Sequence, residues 1–474
     1  MKKHVYVMVV AIVCLILVGC GKKSTEYGLD PKNPITLQVL TYYNGAPQIA
    51  LNELVTEFNN TVGAEKGIFV EAATSGGLNE LTEALNKEAA KTKEEMALPD
   101  IFCCYGDVGY DLKKLGALAD LSPYVTDEEL AEYVPAYIEE GRLGTEDGFY
   151  VFPTAKSTEI MSLNKTDWDK FAEATGASLE SLLTWEGLTE TAEAYYEWSG
   201  GRAFFGRDAV SNYMLVGLHQ LGADAVSVVG DKAVVNIDEA AMKRLWDNYY
   251  IPYISGYFSS VGRFRSDDMK TGTILALVGS SSGSAYLPSK VTVGDAEPYP
   301  IEVINLPVPN FSGENPMVIQ QGAGMAVADS TETKEYAATI FLKWLTDEEN
   351  NCKFAVASSY MPVKTEAVTA EKIETAAKAN DMEWNEVIKS SMNVFMNDYS
   401  TYELFWVRPF DGASGYRSIL ENKMVNQSTQ DRQKVVDLMS AGKDLQTAVA
   451  EINTEENFKN WCRELKEELE KACE

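Results

Sequence analysis

From residue 35 onward the chain alternates strand-length apolar runs with amphipathic segments, and this alternation limits its fold more than any other feature. Ile35, Leu37 and Val39 alternate with polar residues, the spacing of a half-buried strand that ends at Thr41-Tyr42-Tyr43-Asn44-Gly45. Leu51, Leu54, Val55 and Phe58 then recur at helical spacing. Residues 68–72 predict a second strand, a polar helix runs on to Lys93, and residues 99–105 predict a third strand that opens into Gly106-Asp107-Val108-Gly109. Strands alternating with helices predict right-handed crossovers and a mainly parallel sheet, hence an α/β fold. Ligands of such sheets sit beyond the carboxyl ends of the strands, which places Tyr42, Tyr43, Ser75 and Asp107 at a candidate site. At 474 residues the chain exceeds what one hydrophobic core sustains, so two lobes are expected.

The same pattern continues. Residues 148–165 read as strands crossing to a second lobe, and helices are predicted at 167–174, 185–198, 210–221 and 238–250. Residues 264–283 contain a buried strand followed by a serine-rich turn, and 301–308 and 322–328 are further strands. After Asp329, Glu332 completes a capping pattern, and Ala337, Ile340, Phe341, Trp344 and Leu345 share one helix face. Residues 455–474 close the chain as an amphipathic helix carrying Phe458, Trp461, Cys462, Leu465 and Leu469. There is no internal repeat.

The amino terminus decides where this fold works. Lys2 and Lys3 precede an uninterrupted apolar run over residues 5–18, too short to span a bilayer comfortably, and no second long apolar run follows. Its ending, Leu17-Val18-Gly19-Cys20, resembles the lipobox of bacterial lipoproteins. The resemblance implies a signal peptide at 1–19, a lipidated Cys20, a polar tether over 20–34 and a location on the extracellular face of the cell membrane. The formal net charge is -30, and loss of Lys2 and Lys3 leaves -32 on the mature chain, which repels nucleic acid and excludes it as a partner.

Cys103, Cys104, Cys352, Cys462 and Cys473 remain beyond Cys20, an odd number that cannot pair completely. Adjacent Cys103-Cys104 reads as two small buried hydrophobes, with no metal-ligand spacing around it. Histidine is scarcer still: His4 leaves with the signal, and His219 reads as a hydrogen-bonded packing residue in a helix. A serine or cysteine nucleophile therefore lacks its usual base. No phosphate loop, serine elbow or metal motif calls for a cofactor. Carboxylate pairs for glycoside chemistry stay open, because 71 acidic residues offer many.

Phe341-Leu-Lys-Trp-Leu-Thr-Asp-Glu-Glu-Asn350 followed by Ser358-Ser-Tyr-Met-Pro-Val363 resembles a helix and turn of bacterial extracellular solute-binding proteins, the maltose and glycerol-3-phosphate receptors of ATP-driven importers among them. Phe152-Pro-Thr-Ala-Lys-Ser-Thr158, Lys270-Thr-Gly-Thr-Ile-Leu-Ala-Leu277 and Gln321-Gly-Ala-Gly-Met-Ala-Val327 resemble further segments of that family in the same order. The resemblance implies a two-lobe, type II periplasmic-binding-protein-like fold. Lobe 1 is expected to take 35–150 and 280–322, and lobe 2 to take 151–279 and 323–474. Hinge strands near 152–157, 277–281 and 322–327 are expected to join the lobes and close them over a solute. It also implies a membrane permease of an ATP-binding-cassette importer as partner.

Asp107, Ser157, Ser282, Gly322, Tyr360 and Arg408 fall on ligand-contact positions of the glycerol-3-phosphate-binding member, whereas Leu78 stands where that member has a contacting tyrosine. Tyr43 and Trp406 would add flat faces for sugar rings. A neutral sugar or oligosaccharide is the expected solute. A glycerol-3-phosphate or glycerophosphodiester held by Arg408 with help from Lys156, an exported glycosidase, and a surface adhesion protein are the alternatives.

Overall fold

A computed structural model describes residues 26–229, 232–380 and 385–473; the signal segment, Cys20 and the tether up to residue 25 lie outside the described residues. Strands β1 (Ile35–Thr41), β2 (Ile68–Thr74), β3 (Ile101–Cys104) and β4 (Val151–Phe152) belong to a first sheet. Strands β5 (Glu159–Asn164), β6 (Phe205–Arg207), β7 (Ala276–Ser280) and β8 (Val303–Pro307) form a second. Strand β9 (Met317–Ile319) pairs with β11 (Glu403–Phe405) outside both, and β10 (Gly324–Val327) returns to the first sheet.

The first sheet has the order β2-β1-β3-β10-β4. β1 is parallel to β2 and β3, as the helix-alternating sequence requires, while β10 is antiparallel to β3 and β4. The alternation in β1 is realised directly: Leu37 and Val39 are buried and Gln38 faces out. All four residues of the central β3 are buried, as a strand covered on both faces must be. The second sheet, ordered β8-β5-β7-β6, is mostly antiparallel, with only β6 and β7 parallel. The expected mainly parallel arrangement therefore holds for the first three strands and fails beyond them, because later strands enter each lobe from the hinge side and run back along it.

Two large hydrophobic cores follow the sheets. One joins residues between Leu29 and Ala155 with residues between Ala323 and Phe395; the other joins residues between Met161 and Val318 with residues between Phe410 and Leu469. This division differs from the expected boundaries: 323–395 packs with lobe 1, and most of 280–322 with lobe 2. The reason is visible at Phe58 of the helix Ala46–Asn60, whose ring meets Phe341 at 5.1 Å and Trp344 at 5.3 Å, so the helix Glu332–Leu345 is captured by lobe 1. In the second core Trp246 stacks on Tyr250 at 3.5 Å and meets Trp461 of the helix Glu455–Ala472 at 5.1 Å. That carboxyl-terminal helix buries the five apolar residues its spacing predicts.

The chain passes between the cores three times. Residues 153–158 and 320–323 run side by side, Ser157 N–H donating to the Gln321 carbonyl at 2.9 Å and Gln321 N–H to the Ser157 carbonyl at 2.8 Å. The third passage lies at 402–405, where Gln320 N–H donates to Phe405 O at 2.7 Å. Residues 277–281, expected to cross, instead lie largely in β7 inside the second sheet.

Candidate functional site

The carboxyl ends of β1, β3 and β7 meet the crossing segments at one place, the cleft between the lobes. From lobe 1, β1 delivers Tyr42 and β3 delivers Tyr105, each in the residue following its strand. The turn after the helix Glu348–Ser358 adds Tyr360, with Ser359 in the left-handed region at φ 62°. Met361 exchanges two backbone hydrogen bonds with Lys156 (3.1 and 2.7 Å), which fixes this turn to the first crossing segment. The Tyr42 and Tyr360 hydroxyls are 3.2 Å apart. From lobe 2, β7 ends in Ser280, whose hydroxyl is 2.9 Å from that of Ser282 and 3.3 Å from that of Ser157. Tyr360 also lies close to Ser282, so the two walls approach each other. Burial raises the hydroxyl pKa of Tyr42, Tyr105 and Tyr360, and the nearby Tyr360 raises it further at Tyr42 and Tyr105, so all three are neutral donors and acceptors.

The residues expected at the site divide into distinct groups. Tyr360, Ser282 and Ser157 come together in the cleft. Asp107 sits half-buried in the first turn of the helix Gly106–Lys114 beside Tyr105, one carboxylate oxygen accepting from Val108 N–H at 2.8 Å. Trp406 is half-buried at the end of the third passage, and Arg408 is exposed, its guanidinium 3.4 Å from the Gly144 carbonyl of lobe 1.

Tyr43 differs from expectation. The alternation of β1 turns it inward, and its ring packs on Phe354 at 5.3 Å within the lobe 1 core. Gly322 serves the hinge backbone: at φ 89°, a Cβ there would lie 2.5 Å from the Ala155 carbonyl oxygen. Lys156 is buried beneath the hinge, ion-paired with Glu140, donating to Gly322 O at 3.0 Å, and lying 5.4 Å over the Tyr137 ring.

The sequence reading missed Tyr105 and Arg417. Tyr105 carried a usable signal, since it follows a buried strand as Tyr42 does. Arg417 carried none; it lies on the first turns of the helix Ala413–Ser440, donates to Asn212 Oδ1, and acts electrostatically on Tyr105 across the cleft. Asn212 in turn donates to Glu159 Oε1 at 2.8 Å, and Glu159 holds Arg207 through contacts of 2.7 Å. Glu421 caps the helix Val210–Gln220 by accepting from Val210 N–H at 3.0 Å and from Ser211 N–H.

His219 is a packing residue as expected, bonded to Asp224 at 2.9 Å with its ring 4.8 Å from that of Phe405. Cys103, Cys104, Cys352 and Cys462 are buried free thiols, and burial pushes Cys103 and Cys462 up to about 12 and Cys352 to about 11, which keeps them protonated. Among the described residues no cluster of potential metal ligands occurs, and no helix is long and apolar enough to cross a membrane.

The fold is widely shared. UgpB from Mycobacterium tuberculosis, solved in complex with glycerophosphocholine, superposes with a TM-score of 0.66 at 18% identity, covering 93% of this chain and 99% of its own. The ABC substrate-binding protein Lmo0181 from Listeria monocytogenes, solved with cycloalternan, gives 0.65 at 15% identity, covering 92% and 100%. The galacto-N-biose-/lacto-N-biose I-binding protein of the ABC transporter from Bifidobacterium longum, solved with lacto-N-biose, gives 0.63 at 16% identity, covering 91% and 99%. These similarities establish the two-lobe type II architecture. No curated protein sequence matches. A sequence profile described as "Bacterial extracellular solute-binding protein" matches residues 53–381, more than half of the chain. The chain therefore belongs to the bacterial extracellular solute-binding proteins.

Proposed function

We propose that this protein is the lipid-anchored receptor of an ATP-binding-cassette importer. It captures a neutral carbohydrate between its lobes and presents it to the membrane permease. The observation that carries this reading is the convergence of tyrosine and serine hydroxyls from both lobes, beside basic groups that are already paired. Lys156 is neutralised by Glu140, Arg207 by Glu159, and the helix start at Val210 by Glu421, so these three anion-binding features are already occupied. Uncharged groups converge in the cleft: the Tyr42, Tyr105 and Tyr360 hydroxyls and rings, and Ser157, Ser280 and Ser282, with Asp107 and Arg417 as charged groups near Tyr105. Flat aromatic faces and paired hydroxyls suit the faces and hydroxyls of a sugar ring. Asp107, two residues beyond Tyr105, and Trp406, after the third passage, would add an acceptor and a further face.

Calorimetry with a panel of neutral saccharides beside glycerol 3-phosphate and glycerophosphocholine tests this. Micromolar binding of a saccharide, weakened at least tenfold by Tyr360→Ala, is expected. Binding of the phosphate compounds alone would overturn it. The glycerophosphodiester reading has one observation in its favour: Arg417 is held by the neutral Asn212 and acts electrostatically on Tyr105, so a phosphate beside Tyr105 would be drawn to a guanidinium. Arg417→Ala abolishing glycerophosphocholine binding would establish that second reading.

The anchor belongs to the same proposal. Cys20 follows Leu17-Val18-Gly19 at the end of the apolar run, and the chain beyond residue 26 is already fixed to lobe 1: Tyr27 stacks on Tyr336 at 4.3 Å and Leu29 is buried in the core. Cys20→Ser is expected to release the protein from membranes or leave the precursor uncut. A processed Cys20→Ser protein that stays membrane-bound after washing would contradict it.

A further inference from the structure

We propose that the cleft continues into an open subsite at its mouth, formed by Tyr286 above the Gly45 turn of lobe 1, which holds the protruding end of an oligosaccharide. This rests on the carbohydrate reading above. Tyr286 ends the short 3-10 helix Ser281–Tyr286 that leads out of the serine turn, so it follows directly from the central cleft. It lies near Tyr360, and its hydroxyl would be 3.8 Å from a Cβ placed on Gly45, across on lobe 1. A tyrosine reaching the opposite lobe would ordinarily be covered, yet Tyr286 is 64% exposed and belongs to neither core. Its ring is therefore presented to solvent at the rim where the lobes meet.

The facing rim on lobe 1 is built to stay low. Asn44, beside Gly45, donates to the Gly76 carbonyl at 2.6 Å and so draws the loop before Leu78 against the end of β1. A Cβ at Gly76 would touch nothing within 4 Å, so this loop leaves space above it. Leu78, at the start of the helix Leu78–Ala89, is 37% exposed. A flat aromatic ring left exposed above the Gly45 turn suits a pyranose ring lying on Tyr286. A monosaccharide or disaccharide enclosed in the centre would not reach it; a longer chain would.

Titrating the full mature chain with maltose to maltopentaose, isomaltose to isomaltopentaose and cellobiose to cellopentaose tests this. In the series that binds, affinity is expected to rise about tenfold when the added unit reaches the mouth. Tyr286→Ala is expected to erase that rise while leaving disaccharide affinity within about twofold, and Tyr286→Phe to keep it. Disaccharide binding with no dependence on length, or equal losses for short and long saccharides in Tyr286→Ala, would overturn the subsite alone. Silence from every saccharide would overturn both the subsite and the carbohydrate reading.

Discussion

Asp398 and Asp431 are both fully buried carboxyls, and their surroundings set them in opposite directions. Asp431 accepts from Tyr250 at 2.6 Å, Gln427 at 2.6 Å, Asn457 at 2.9 Å and Lys434 at 2.7 Å. Burial alone would raise its pKa, but these donors outweigh it and hold the pKa below the usual range. Its stabilising effect is present above the unfolded pKa and lost as pH falls through the folded value. Asp431→Ala is expected to cost about 3–5 kcal/mol in urea unfolding at pH 7, because it strands the donors of Tyr250, Gln427 and Asn457.

Asp398 has only a 3.5 Å contact from Asn397, and its second oxygen has no partner among the described residues. Burial pushes it up to about 7. A folded carboxyl that keeps its proton while the unfolded one has lost it makes stability fall as pH rises from about 4 to 7. Asp398→Asn is expected to remove that slope and raise Tm at pH 8 by several degrees, the full linkage being at most about 4 kcal/mol. Equal Tm values for the two proteins across pH 4–8 would contradict it.

At the scale of elements, the hinge is the most constrained part of the chain. Gly322 is fixed both by its left-handed backbone and by the carbonyl that a Cβ would strike. Gly322→Ala is therefore expected to cost about 2–4 kcal/mol of stability and to weaken solute binding, read by thermal unfolding and calorimetry on one preparation.

How far the sequence revealed an element depends on what its buried stripe is made of. The helix Glu455–Ala472 was legible because all five residues of its stripe are large and apolar or thiol-bearing. The helix Ala413–Ser440, the longest of the described ones, was not legible. Its inward stripe runs Leu420, Met424, Ser428, Asp431 and Val435, and the two polar residues break the hydrophobic period. For the same reason Arg417, on its first turns, could not be assigned to the cleft. Tyr42 was legible from its place at the end of an alternating strand. Tyr43 was misread because the following residue of that alternation faces inward, and no turn signal separates the two. The lobe assignment of residues 323–395 depended on long-range packing at Phe58, which no local pattern encodes.

At the scale of the whole molecule, the two lobes are in contact across the cleft at several points. Tyr360 lies close to Ser282, Arg408 reaches Gly144, and Lys114 pairs with Asp411 at 2.5 Å. The last pair is about half exposed on both sides, so it contributes only about 0–1 kcal/mol and is screened by salt. Lys114→Ala is accordingly expected to reduce solute affinity by no more than about fivefold at low salt and to have no effect at 1 M salt, measured by calorimetry. A loss that persists at 1 M salt would show that Lys114 does more than hold the lobes together.

The reading as a whole requires that solute be enclosed between lobes that separate when it leaves, about the passages at 153–158, 320–323 and 402–405. Small-angle scattering of the solute-free protein and of the protein saturated with a saccharide shown by calorimetry to bind tests this most directly. A smaller radius of gyration in the saturated protein is the expected result. An unchanged radius of gyration at saturation would contradict capture by lobe closure.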